Sequence, residues 1–314
     1  MITAELRRAI LAAAGHDHDP LLRPGPQPGS YTSSLPFRLP PETRQALAAR
    51  LKTEPWIATV EIDGYLTVTV THDALAGLAV RIARAGPACA ASDALRGRTA
   101  RGPTGANLAA APDFPSARAA LAAEVTARLA GTAGATVTFY AERTIVPPSV
   151  PRSPVAVAVA YAGLDAVRFA LAATPPGGAP PKAEVIARHV LGNPAYAVRY
   201  AHAAAAAVLR WAASLDSGPG GFRPRLLMAP MELALLDALS WLPERVAMAA
   251  RRGRPDEFAG YLAELAARTI DTMSTTGFTT ISSISSERLW LADAARTGLA
   301  AGLRLLGVDA PERI

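Results

Sequence analysis

The sequence predicts a chain with two unlike ends: a small α+β domain over residues 1–84 and an all-α helical bundle over 152–314, joined by a short α/β segment at 85–151. Three observations predict this. "WIATVEIDGYLTVTVTHD" (56–73) alternates apolar and polar residues around Asp63-Gly64, the pattern of a β-hairpin with one buried face. From residue 182 onward the apolar spacing is helical almost throughout. The stretch between is rich in Gly, Pro and Ala, with room for little more than one helix and one strand.

Each element follows in order. Residues 4–14 form a short amphipathic helix ending at "GHDHDP". "RPGPQPGSYTS" (23–33) reads as loop, and 41–53 as a helix with Pro41 in its first turn and Leu47 and Leu51 on one face. Residues 86–115 read as a linker or irregular core. Helical periodicity returns at 116–130 through Ala120, Leu121, Val125 and Leu129, and "ATVTFYAE" follows as a strand. "VPPSVPRSP" (146–154) breaks the chain, and a short apolar segment and "LDAVRFALAA" follow. Helices at 182–191, 194–215, 230–250, 255–273 and 286–306 then predict a five-helix antiparallel bundle, with Ser286 capping the last.

With 314 residues, 50% apolar and 18% charged, the chain is long and apolar enough to bury a sizeable core. Its net charge of +6 is carried by arginine, with Lys52 and Lys182 the only lysines, and favours a polyanionic partner. The single Cys89 excludes an internal disulfide and a thiolate zinc site, which makes the cytoplasm the expected compartment. No apolar run reaches the roughly 18 to 20 residues of a membrane span, and "AILAAAG" behind Arg7 and Arg8 is too short for a signal peptide.

Several motifs resemble one family. "RLWLADAARTGLAAGLRLLGVDAPERI" (288–314) resembles the C-terminus of arginyl-tRNA synthetases, with their "LLGI" helix end and "APERM"-like tail. "NPAYAVRYAHA" (193–203) resembles that family's "NPVYYVQYAHA" segment, and "MELALLDALSWLPERV" its next helix. "LDAVRFALA" (164–172) is similar to the Asp-Ala-Leu-Arg motif that names its anticodon-binding domain. "GSYTSSLPFRL" (29–39) resembles a segment of the N-terminal tRNA-binding domain, with Ser30 and Ser34 in place of Asp and Asn.

This resemblance implies a tRNA as partner, with an arginine isoacceptor the expected one. The residues it places near RNA are Asn193, Tyr196, Arg199, Tyr200, His202, Arg296, Arg304, Arg313 and Ile314 in the bundle, and Tyr31 and Arg38 in the N-terminal domain. From their spacing alone, Tyr196, Arg199, Tyr200 and His202 read first as a hydrogen-bonded wedge between helices, and the arginines as a solvated face.

The middle departs from the family. About 65 residues separate Arg84 from Ser149, far too few for a doubly wound catalytic sheet. Pro103-Thr104-Gly105 and "SARAALAAEVTARLAGTAGATVTFY" (116–140) resemble a remnant of that nucleotide-binding core. Where the family's first ATP signature has two histidines this chain has Asp113 and Ser116, and where the second has lysines "PPSVPRSP" offers only Arg152. An aspartate repels the phosphates that imidazole and lysine stabilise. The resemblance therefore implies tRNA binding without aminoacylation, catalytic residues and cofactor both expected to be none.

Two other functions stay open: a protein-interaction module that docks onto a full synthetase or an aminoacyl-tRNA-using enzyme, and an enzyme using the residual cleft through His189, His202 or Asp165. "HDHD" (16–19) lacks further ligands for a metal, Cys89 has no evident base, "TTISSISS" reads as a polar loop, and "PTGA" lacks the Gly-Lys-Ser/Thr of a phosphate loop.

Overall fold

The structure is a computed structural model that describes residues 1–15, 19–141, 153–179, 182–280 and 284–314. "HDHD", except for Asp19, and Arg152 therefore lie outside the described residues, as does part of "TTISSISS".

The N-terminal part is α+β. Helix α1 (Ile2–Ala14) leads into strands β1 (Arg23–Pro24) and β2 (Ser30–Ser33), so the segment read as loop contributes two short strands. Helix α2 (Pro41–Leu51), strands β3 (Ile57–Asp63) and β4 (Tyr65–Val70), and helices α3 (His72–Ala76) and α4 (Leu78–Ala85) follow. The strands form an antiparallel sheet in the order β1-β2-β4-β3. Alternation governs β4: Leu66, Val68 and Val70 are buried while Tyr65 is exposed. The hairpin is tighter than a two-residue turn, pairing Asp63 with Tyr65 around Gly64, whose φ of +69° is left-handed.

The middle is a β-α-β unit. Strand β5 (Thr99–Pro103) pairs in parallel with β6 (Thr136–Tyr140), and α5 (Phe114–Thr132) connects them. The linker expectation missed β5 because Gly102 and Pro103 read as loop formers. Gly102 instead lets the strand press against α5: a Cβ there would stand 2.4 Å from the Cβ of Ala127 and 3.0 Å from the carbonyl of Ala123.

The rest is helical: α6 (Pro154–Ala162), α7 (Leu164–Ala173), α8 (Ala183–Ile186), α9 (Pro194–Ala213), α10 (Pro230–Ser240), α11 (Leu242–Arg252), α12 (Pro255–Met273), α13 (Thr276–Thr279) and α14 (Ser286–Leu306). Three differences from the expected five helices have local causes. The 182–191 helix shrinks to α8, because Asn193 draws the Ile186 and Arg188 carbonyls onto its side-chain amide. The 230–250 helix breaks at Trp241 because Pro243 lacks the N–H that a continuous helix needs. Ser285, one residue before Ser286, caps α14 by accepting the Arg288 N–H at 3.3 Å.

One core runs the length of the molecule, from Ile2 to Val308. The N-terminal part is seated on α10 and α11 by polar bonds as well as apolar packing. Thr3 Oγ1 donates to the Ser240 carbonyl at 2.7 Å, Arg7 Nη2 meets Glu244 Oε1 at 2.6 Å, and the Gly29 N–H meets Asp237 Oδ1 at 2.9 Å. Among the described residues no helix is long and apolar enough to cross a membrane.

Candidate nucleic-acid interface

The candidate site is built on the first two turns of α9. Asn193 sets where the helix begins: its Oδ1 accepts the Ala195 N–H at 3.2 Å, and its Nδ2 donates to the carbonyls of Ile186 and Arg188 at 2.8 and 2.7 Å. Those bonds fold the α8–α9 connection back so that His189 lies on Tyr196, ring centroids 5.3 Å apart and planes 11° from parallel. Tyr196 in turn stacks on Tyr200 at 5.8 Å and 26°. The result is a row of three rings ending in the exposed Tyr200. Arg199 stands beside them, 3.9 Å from Asp165 of α7, with its Nε buried and without a hydrogen-bond partner.

Further along α9 the chain's last residues are clasped. His202 is buried, and its Nδ1 donates to the Pro311 carbonyl at 2.8 Å. Burial lowers its pKa, the nearby Arg296 lowers it further, and the Pro311 carbonyl and Glu312 oppose both. Arg210 Nη1 donates to the Glu312 carbonyl at 2.7 Å, while the Glu312 carboxylate sits 3.9 Å from both Arg210 and Arg296. Arg296 is also bonded to Asp293 at 2.7 Å. Arg313 and Ile314 project beyond the clasp, exposed.

Three of the candidate residues, Asn193, His202 and Tyr31, have buried side chains that hold neighbouring groups inside the fold. Tyr31 donates its hydroxyl to Ser240 Oγ at 2.8 Å and packs on Trp241, inside the junction with α10 and α11. Arg38 is exposed beside Phe37, which meets Tyr65 edge-on at 5.0 Å at the hairpin. Arg304 and Arg296 do not share a site: Arg304 lines a groove of about 640 Å³ with Arg128, Phe139, Val308 and Asp309.

The motif-like residues Asp165 and Arg168 are structural joints. Arg168 is buried and bonds Glu124 of α5 at 2.6 Å; Glu124 also takes Arg128 at 2.5 Å and the Ala106 N–H at 2.6 Å. Gly307 makes room for this cluster, since a Cβ on it would stand 2.5 Å from Arg168 Nη2. Asp113 and Ser116 form the start of α5, where Asp113 Oδ1 accepts the Ser116 N–H at 2.8 Å and that bond lowers the Asp113 pKa. His189, His202 and Asp165, the residues of the cleft-enzyme reading, are each held by a different partner.

Residues 198–314 match the family model described as the DALR anticodon binding domain. Over an overlapping stretch the chain is 40% identical across 135 residues to an arginine–tRNA ligase of Clavibacter sepedonicus, covering 41% of this chain and 24% of that protein. Its C-terminal part is similar to that of arginine–tRNA ligases. A second synthetase relative, the arginine–tRNA ligase of Paenarthrobacter aurescens, is 37% identical over 164 residues, or 50% of this chain and 30% of that one. The matched stretches thus span less than a third of either relative. Thermus thermophilus arginyl-tRNA synthetase aligns over 100% of this chain and 59% of its own, at 21% identity and a TM-score of 0.40. Synthetase resemblance picked out the α9 aromatics, but not His189 as the third ring or the clasp of Arg210 on Glu312. Those join residues distant in sequence, and no local spacing announces them.

Proposed function

We propose that this chain is a non-catalytic, cytoplasmic synthetase-like protein that binds tRNA, with an arginine isoacceptor the first choice. The observation that carries the proposal is the His189–Tyr196–Tyr200 ring row beside Arg199, in a region that runs into the anticodon-binding match. Unpaired anticodon bases are recognised by stacking on such rings, with guanidiniums at the adjoining phosphates. Residues 1–84, 85–151 and 152–314 would act as an N-terminal tRNA-contacting domain, a bracing core remnant and the anticodon-binding bundle. Support for the absence of aminoacylation is chemical. Asp113, at the position aligned with the ATP signature, brings negative charge where phosphates would have to sit, and its oxygen already caps α5.

A second reading, docking onto a protein such as a full synthetase, is favoured by Val157, Tyr161 and Leu164, exposed at spacings of four and three. Binding of labelled arginine tRNAs at two salt concentrations, with an anticodon-substituted tRNA as control, separates the two. Tight binding that falls steeply with salt and weakens on anticodon substitution supports the tRNA reading. Absence of binding at low salt refutes it and leaves the docking reading.

A further inference from the structure

We infer that an arginine-lined cavity between α1, the 93–98 turn and α11 is a binding site for a phosphate-bearing ligand. The cavity holds about 490 Å³, and five guanidiniums line it against two carboxylates. The carboxylates serve only part of that charge. Asp19 is shared between Arg7, at 2.6 Å, and Arg251, and Glu244 backs Arg7 from the buried side. Arg7 and Arg251 are thereby neutralised and fixed in place.

The other three arginines are not. Among the described residues Arg8 makes only a 3.4 Å bond to the Ala4 carbonyl, and Arg96 is 3.7 Å from Asp93 and 81% exposed. Arg98 is exposed and has no ion pair among the described residues. Gly97, at a left-handed φ of +79°, makes the turn between Arg96 and Arg98, both of which line the cavity. Like charges converging on one concavity repel unless an anion enters, and guanidinium forks match phosphate oxygens two at a time.

The lining also says what the site does not read. Among the described residues its apolar members are Leu11 and Ala94, and none of them supplies a ring for a base to stack on. Recognition is therefore of the phosphates themselves, supplied either by an RNA backbone or by a free polyphosphate. In the RNA case the inference rests on the tRNA reading above; in the other it stands alone.

The probes are inorganic pyrophosphate and a labelled tRNA, each titrated at constant ionic strength into the full chain and into the Arg96→Ala/Arg98→Ala variant. Both residues are exposed, so the variant keeps its fold, which its melting temperature verifies. Pyrophosphate is expected to raise the wild-type melting temperature saturably, and the variant to lose at least about tenfold in affinity, or about 1.4 kcal/mol. If the variant also binds tRNA more weakly, with a log–log salt slope about one to two shallower, the phosphates are those of RNA. If tRNA binding is unchanged while pyrophosphate is lost, the ligand is a free polyphosphate. Wild-type protein that ignores pyrophosphate, together with a variant that binds tRNA as wild type does, overturns the inference. A wild type that binds pyrophosphate but no tRNA would sink the proposed function and leave this site standing.

Discussion

At the scale of single residues, the polar aromatic cluster of α9 divides its labour. Tyr200 is exposed, whereas Asn193 and His202 hold backbone carbonyls inside. Replacing Tyr196 or Tyr200 with alanine should weaken tRNA binding by about 1–3 kcal/mol each, the range for loss of a stacking platform, with little change in melting temperature for Tyr200→Ala. Equal tRNA affinity in both variants would remove the ring row from the interface. His202 gives a pH prediction. Its folded pKa lies below the ordinary value of 6.5, so the unfolded chain binds the extra proton first. Stability should therefore decline as the pH falls through about 6.5 and level off below the folded pKa. Thermal melts from pH 7.5 to 5 should show a steeper decline for wild type than for His202→Gln; parallel curves would contradict the assigned burial. The residue types at 193, 200 and 202 were legible, but a sequence does not show which side of a helix faces the chain's own tail.

Among the secondary-structure elements, strong local signals carried through and weak ones lost to packing. The Asp63-Gly64 hairpin, α12 and α14 stand close to where alternation and helical spacing put them. Strand β5 did not announce itself, since Gly102 is there for the helix that covers it. The apolar spacing of 230–250 runs straight through Pro243, and only the folded chain shows two helices there. Ser285→Ala should cost about 1 kcal/mol in urea unfolding through loss of the α14 cap, and Ser286→Ala much less. The reverse order would return the cap to Ser286. Between elements, Glu124 is the buried hub of Arg168, Arg128 and the Ala106 N–H. Glu124→Ala should cost about 3–5 kcal/mol, because it leaves a buried guanidinium without its counter-charge. A loss under about 1 kcal/mol would mean that the cluster relaxes into water.

For the molecule as a whole, the three segments share one core and a set of buried polar joints. Residue 7 is tied to residue 244, residue 31 to 240, and residue 168 to 124. Far-ultraviolet circular dichroism and tryptophan fluorescence should therefore report the same unfolding midpoint, and two separated transitions would contradict the single core. Sequence patterning predicted the unlike ends but not this union, because joints such as Arg7–Glu244 pair residues that no local window contains. The union has a use at the bench. Trp56 lies next to the hairpin, far along the chain from α9, yet both pack into the same core. A ligand held by α9 would delay the melting of the hairpin too, so a fluorophore at one end of the molecule can report occupancy at the other.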